Sequence, residues 1–288
     1  MVNPWEKDEY KQAKKWAEKA RGKQLDVIPC VATWMDICGF GAALENSSWD
    51  LATLQQNEIL TMLSEVYERV AHPFLIGVKP MPYETVLVIN DGIARTVDLG
   101  NPEFAIAAQF IFYLRDLFFA HSHLLALTKS YGYGIRTVLA GGERVQYSAE
   151  EFTGNSILHH SENNISDFGK KLLNKTFVYN PLEFQLNTAF AKAYSMDALG
   201  SKHGFKVSGL YIESSFWETI KSIPQIRVDI CEKSVLILHN DLPALEFYCN
   251  DQVRCEFKGL NLTSDRIYAV RIYAEFEGEE TYCELEKT

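Results

Sequence analysis

Basic residues are scarce: 28 Lys and Arg face 38 Asp and Glu over 288 residues, a formal charge of −10. The broad positive surface that non-specific nucleic-acid binding requires is therefore missing. A nucleotide is not excluded, because divalent cations supply positive charge locally. Cysteine is sparse and scattered, at Cys30, Cys38, Cys231, Cys249, Cys255 and Cys283, without a C-x-x-C pair. That spacing argues against a zinc site or a disulfide framework. Neither Gly132-Tyr133-Gly134 nor Gly141-Gly142 leads into a G-K-[S/T] ending, so no P-loop is present, and these glycines read as strand punctuation. The G-x-S-x-G elbow of a serine hydrolase is also absent. His121 and His123 stand two apart in a helical stretch and do not share a face; His159-His160 lies in a polar run. None has carboxylates at ligand spacing. Residues 1–24 are charged and lack the apolar core of a secretory signal. The most apolar stretch, 104–127, is interrupted by Arg115, Asp116, His121 and His123, which favours a buried helix over a membrane span. No repeat or low-complexity tract occurs. The expectation is a cytoplasmic, reduced protein with neither a membrane nor a nucleic acid as partner.

Hydrophobic residues make up 47% and charged residues 23%, enough to bury a large core. Residues 7–23 have helical character, with Ala13, Trp16, Ala17 and Ala20 on one stripe. A β-branched run at 25–34 predicts a central strand, followed by a glycine-opened turn at 36–41. Residues 51–72 carry helical spacing, and Pro73 disfavours helix just before it. Short apolar runs at 74–78, 85–89 and 93–99 predict strands, the last two joined by the hairpin signal Asn90-Asp91-Gly92. A long helix is expected at 102–129, a strand at 135–139 and a polar loop at 148–175. Then follow a helix at 186–199, a strand at 205–212, a short helix at 214–223 and a strand-rich remainder. The order predicts an α+β fold, a mixed and mostly antiparallel sheet with helices packed on it. Three parts are expected: an N-terminal helix (1–24), a main domain (25–223) and a β-rich C-terminal extension (224–288).

Asp36 follows the first strand and Asp91 sits at a hairpin tip. Strand tips at one end of a sheet bring carboxylates together from distant positions. Such a pair binds hard divalent cations that also take phosphate oxygens. Both acids are equally at home as turn residues, and the residue types alone leave the two readings open.

The letters around them add a resemblance. Asp36-Ile37-Cys38-Gly39-Phe40 matches the D-I-x-G-F signature of class III nucleotidyl cyclases. Asn90-Asp91-Gly92-Ile93 resembles their second metal-binding turn, and Arg136-Thr-Val-Leu-Ala-Gly-Gly142 their strand that begins with Arg. A helix beginning Asn187-Thr188-Ala189 and the strand Val207 to Ile212 follow in the expected order, so the resemblance spans about residues 25–215. It implies a ferredoxin-like core and two divalent cations, Mn2+ or Mg2+, on Asp36, Asp91 and the Ile37 carbonyl. It also implies Arg136 on the triphosphate, and Trp34 beside the nucleotide. Asp36, Asp91 and Arg136 would be the catalytic set. The structural alternatives are a core aromatic for Trp34 and a strand-end surface charge for Arg136. A homodimer with two interfacial sites is implied as well.

Departures from the pattern are equally specific. Leu87 stands where the family carries its adenine-selecting lysine, and Ala191 where it carries a transition-state arginine four residues after Asn187, with Lys192 adjacent. A base pocket that selects by hydrogen bonds loses its discrimination when a partner is lost. In keeping both aspartates while losing adenine selection, the chain looks like the bacterial pyrimidine cyclases of Pycsar anti-phage systems. That resemblance implies UTP as substrate, cyclic UMP as product and a separate cyclic-nucleotide-activated effector, with cytidylate or adenylate cyclase as further alternatives. A non-catalytic cyclase-like binding module is the alternative from another class. A dinucleotide cyclase is disfavoured because no GGDEF-type signature occurs.

Overall fold

A computed structural model describes residues 22, 25–55, 58–71, 84–99, 107–146, 181–257, 259–273 and 281–284. The expected helix at 7–23 (Gly22 apart), the run at 74–78 and the polar stretch at 148–175 lie outside the described residues. Strand β1 (Val27–Cys38) is followed by three helices, α1 (Phe40–Asn46), α2 (Leu51–Leu54) and α3 (Ile59–Ala71). The hairpin β2 (Glu84–Ile89) and β3 (Gly92–Asp98) leads to the long helix α4 (Ala107–Ser130) and to β4 (Gly134–Val145). Next come α5 (Thr188–Leu199), β5 (Gly209–Glu213) and α6 (Ser214–Ile220). The remainder is all strand: β6 (Ile226–Ile230), β7 (Ser234–His239), β8 (Leu242–Phe257), β9 (Leu260–Ile272) and β10 (Thr281–Glu284).

The strands form one sheet in the order β2-β3-β1-β4-β5-β9-β8-β7-β6, with β10 also on β9. Every pairing is antiparallel except β4 with β5. The first four strands, connected β-α-β-β-α-β and ordered β2-β3-β1-β4, are a ferredoxin-like unit, as the resemblance implied. Strands β6 to β10 extend the same sheet through β9 beside β5, so the C-terminal strands complete it.

Alternation along β1 divides the core. Val31, Met35 and Ile37 face a large cluster that takes in α3, α4, α6 and residues of β7 to β9. Cys30, Ala32, Trp34 and Asp36 point to the other face, where α5 packs. Helix α4 contributes Phe110, Leu114, Leu117 and Phe118 to the larger cluster. Its window Gln109–Ser130 is long and apolar enough to cross a membrane. Here it is a core helix, and Phe118 stacks on Phe247 of β8 at 5.0 Å between ring centroids.

Three local expectations are corrected. Residues 51–72 form two helices, not one. Asp50 caps α2, accepting from the Ala52 N–H at 3.0 Å, and α3 starts afresh at Ile59. The buried Leu54 and Ile59 are five apart, a step that breaks the three-or-four repeat of one continuous helical face. The glycines at 36–41 open no extended turn: β1 runs to Cys38, Gly39 reverses the chain at φ 103°, and α1 begins at Phe40. Gly141-Gly142 does not end β4 but lies inside it. A Cβ on Gly141 would meet Thr219 Oγ1 of α6 at 2.3 Å, and one on Gly142 would meet Thr188 Oγ1 of α5 at 2.4 Å. The two glycines let helices approach the strand closely.

Candidate active site

The β1–β3 register places Asp36 opposite Gly92, and the β1–β4 register places it opposite Arg136. Asp91, one residue before Gly92, is therefore beside Asp36, and its carbonyl accepts from the Ile37 N–H at 3.1 Å. The hairpin tip is fixed from both sides. Asn90 takes φ 52°, which asparagine tolerates, and its carbonyl accepts from Tyr67 Oη of α3 at 2.5 Å. On the other side a Cβ at Gly92 would lie 2.2 Å from the Trp34 indole, so only glycine lets that ring cross β3.

A third carboxylate completes the group. Asp197, in the last turn of α5, accepts from Arg136 Nε at 2.5 Å and from Trp34 Nε1 at 3.1 Å. Its backbone carbonyl accepts from Arg136 Nη2 at 3.1 Å. The same Nη2 stands 3.8 Å from Asp36 Oδ2. Two acids thus meet one guanidinium, and Asp91 adjoins the first of them. Burial pushes Asp36 up to about 7, helped by the charges of Asp197 and Asp91 and opposed by Arg136. Asp91 is raised by burial, and the charge of Asp197 adds to it. Asp197 is raised by burial even with Arg136 and Trp34 bonded to it. An excess of partly buried carboxylate is an arrangement that a cation relieves. Asp36 and Asp91 are hard oxygen donors of the kind Mg2+ and Mn2+ accept, and phosphate oxygens and water usually complete such shells. Among the described residues no set of three His, Cys, Asp or Glu side chains forms a metal cage by itself. The donor set therefore fits a cation that arrives with phosphate, not one permanently caged by protein.

The other residues named from sequence divide into two groups. Trp34 is a buried aromatic on the α5 face, edge-on to Phe190 at 6.0 Å and to the half-exposed Tyr194 at 5.2 Å. Leu87 packs against the same cluster, so an apolar wall adjoins the acids. Asn187 and Lys192 lie elsewhere in the protomer. Asn187 caps α5 by accepting from the Phe190 N–H at 2.8 Å, and its Nδ2 donates to Thr96 Oγ1 and the Glu183 carbonyl. Its Oδ1 also accepts from Cys30 Sγ at 3.5 Å. Cys30 is six residues from Asp36 along β1, about 20 Å at strand rise. Lys192 Nζ donates to the Gly141 carbonyl at 2.9 Å and to Ser215 Oγ at 2.8 Å, clamping α5 and α6 to β4. Within one chain neither reaches Asp36.

Sequence reasoning missed Asp197. One signal pointed to it: the inward positions of α5 are Ala189, Ala193, Met196 and Asp197, so an acid occupies a buried stripe. Such a residue needs a partner, and the nearest basic strand-end residue is Arg136.

No protein-family profile matches the chain, and no curated protein matches it. Among solved structures it is similar to the guanylyl cyclase Cya2, at 12% identity and a TM-score of 0.46, over 85% of this chain and 93% of that one. It is similar also to the catalytic core of a rhodopsin-guanylyl cyclase with converted specificity in complex with ATPαS (12% identity, TM-score 0.43, 84% and 97% covered). A third is the non-canonical dimeric guanylyl cyclase domain of the RhoGC fusion protein from the aquatic fungus Blastocladiella emersonii (11%, 0.40, 84% and 96%). All three scores are below 0.5, so the fold rests on the strand order described above.

Proposed function

We propose that the chain is a metal-dependent nucleotidyl cyclase that closes a pyrimidine nucleoside triphosphate, UTP in preference to CTP or ATP, to a 3′,5′-cyclic monophosphate and pyrophosphate. The observation that carries this reading is the meeting of Asp36 and Asp91 beside Arg136 at one sheet end, within the D-I-x-G-F and N-D-G motifs. Two divalent cations would be held by Asp36, Asp91 and the Ile37 carbonyl, and would supply Lewis acidity at the phosphates and at the ribose 3′-hydroxyl. Nucleophile and electrophile belong to one substrate molecule, so the protein's task is to fold the nucleotide and balance its charge. Arg136 stabilises charge gathering on the departing pyrophosphate. Trp34 and Leu87 give the nucleoside an apolar wall in place of a base-reading lysine. A homodimer is part of the reading, with Asn187 and Lys192 assigned to substrate only if a second protomer brings them to the site. The product would be a cytoplasmic second messenger for a separate effector in anti-phage defence.

A second reading, a non-catalytic nucleotide-binding module, is favoured by one observation: Arg136 is already engaged by Asp197. Incubating the purified chain with each of the four NTPs and Mn2+, then chromatographing the products, separates the two. A cyclic monophosphate from one pyrimidine, lost in Asp36→Ala and Asp91→Ala, is the expected result. No product from any NTP, with the protein folded, overturns the cyclase reading in favour of the module.

A further inference from the structure

We propose that Asp197 is the positioning residue of the site: it aims Arg136 at the leaving phosphates and fixes Trp34 in the same act. The proposal rests on the cyclase reading above. Its two carboxylate oxygens are divided, Oδ1 to Arg136 Nε and Oδ2 to Trp34 Nε1, and its own carbonyl takes Arg136 Nη2. Three acceptors of one residue, in the last turn of one helix, thus set the plane of a guanidinium and the angle of an indole. Arg136 is held by Nε and one edge of the fork, and Nη1 has no partner among the described residues, so it is the atom left to meet a phosphate oxygen. The alternative partner is close. Asp36 Oδ2 lies 3.8 Å from Nη2, and an arginine released from Asp197 would swing onto it. Such a pair would place the guanidinium where a cation is needed and remove it from the phosphate side. Asp197 therefore keeps Arg136 and Asp36 apart while leaving both available. A charge-assisted, forked contact suits that task because it fixes direction as well as distance.

The arrangement also links the two parts of a nucleotide. Trp34 belongs to the apolar wall and Arg136 to the acid cluster, and Asp197 is bonded to both. Movement of one is felt at the other through a single carboxylate. Helix α5 is anchored independently at its far end by the Asn187 cap and the Lys192 clamp. Asp197 thus stands on a fixed support.

Asp197→Asn keeps the shape but leaves one oxygen to serve two donors. In full-length protein we expect kcat to fall about a hundredfold with KM changed less than about threefold, since misdirection of a transition-state contact by about 1 Å has that cost. A cycle with Arg136→Gln separates positioning from general damage. If Asp197 acts through Arg136, adding Asp197→Asn to Arg136→Gln costs less than about threefold more. Additive losses overturn the proposal. A metal-free measurement stands beside this one. The side-chain N–H resonances of Trp34 and Arg136 should both shift in Asp197→Asn, and unchanged resonances overturn the proposal whatever the kinetics. Should Asp197→Asn fail to fold, Arg136→Lys keeps the charge but loses the fork, and should reproduce the hundredfold loss; wild-type kcat in that variant overturns it. Wild-type protein without turnover refutes the cyclase reading, and the inference with it. Wild-type turnover with an additive cycle refutes this inference alone.

Discussion

The two ends of β1 carry polar clusters of opposite character. At the N-terminal end Arg144 forks onto Asp98 at 2.6 and 2.5 Å, and Asn187 uses both side-chain heteroatoms on Thr96, the Glu183 carbonyl and the Phe190 N–H. Arg144 there meets Asp98 charge for charge, and both heteroatoms of the Asn187 amide are bonded. At the C-terminal end Asp36 and Asp197 share one guanidinium with Asp91 beside Asp36; burial raises all three carboxyls, and the charge of Asp197 adds to the rise at Asp36 and Asp91. Both clusters flank the same strand and lie under the same helix. What separates structure from function here is not burial but balance. A matched cluster holds the fold; an acid surplus costs stability, a cost that a bound cation would relieve.

Removing a polar side chain at either end tests that contrast, and the largest effect belongs to the acid end. Asp36→Ala or Asp91→Ala should lower product formation at least about a thousandfold in the four-NTP assay, the scale of losing a metal ligand or a main transition-state contact. Asn187→Ala, at the other end, should retain turnover and lose about 1–2 kcal/mol in denaturant unfolding, as expected for an N-cap. A turnover loss matching that of Asp36→Ala would join the two ends in one site, as a partner protomer could arrange.

Breaking the matched pair comes next. Asp98→Ala leaves the buried Arg144 without its forked partner and should cost about 3 kcal/mol by chemical denaturation. Asp36→Asn should do the reverse. Its carboxyl is raised to about 7 in the folded chain, so ionisation penalises folding above that pH and not below the ordinary carboxylate value. The metal-free variant should therefore be about 2 kcal/mol more stable than wild type at pH 8, with the gain shrinking as pH falls from 7 towards 4. Equal stabilities at pH 8 would mean that the acid surplus carries no penalty.

A smaller, opposite pH effect comes from His121. It is fully buried, its Nδ1 lies 2.8 Å from Thr137 Oγ1, and burial lowers it to about 4. The unfolded chain binds that proton near 6.5 and the folded chain does not, so stability should fall as pH drops from about 6.5 to 4. His121→Gln should flatten this part of the profile, and an unchanged slope would assign it to other groups.

Several parts of this molecule are legible in its sequence. Asn90-Asp91-Gly92 fixed a hairpin because few residues accept its backbone angles. The β-branched, apolar run at 25–34 foretold β1. Local chemistry decides each of these within a few residues. The break between α2 and α3 was readable in the five-residue step from Leu54 to Ile59 but was hidden by otherwise helical spacing. Gly141-Gly142 misled, because a glycine pair looks the same whether it ends a strand or admits two helices.

The sequence by itself determined the alternating strands, the hairpin, the acid surplus and the two aspartates at strand tips, since each is written in neighbouring residues. Only the tertiary structure decided that Asp197 joins Asp36, Asp91 and Arg136, that Lys192 and Asn187 serve the opposite end, and that the last five strands extend the same sheet. Those outcomes depend on which strands pair and where α5 lies across them. Contacts between residues 61 positions apart, as Arg136 and Asp197 are, leave no periodicity along the chain.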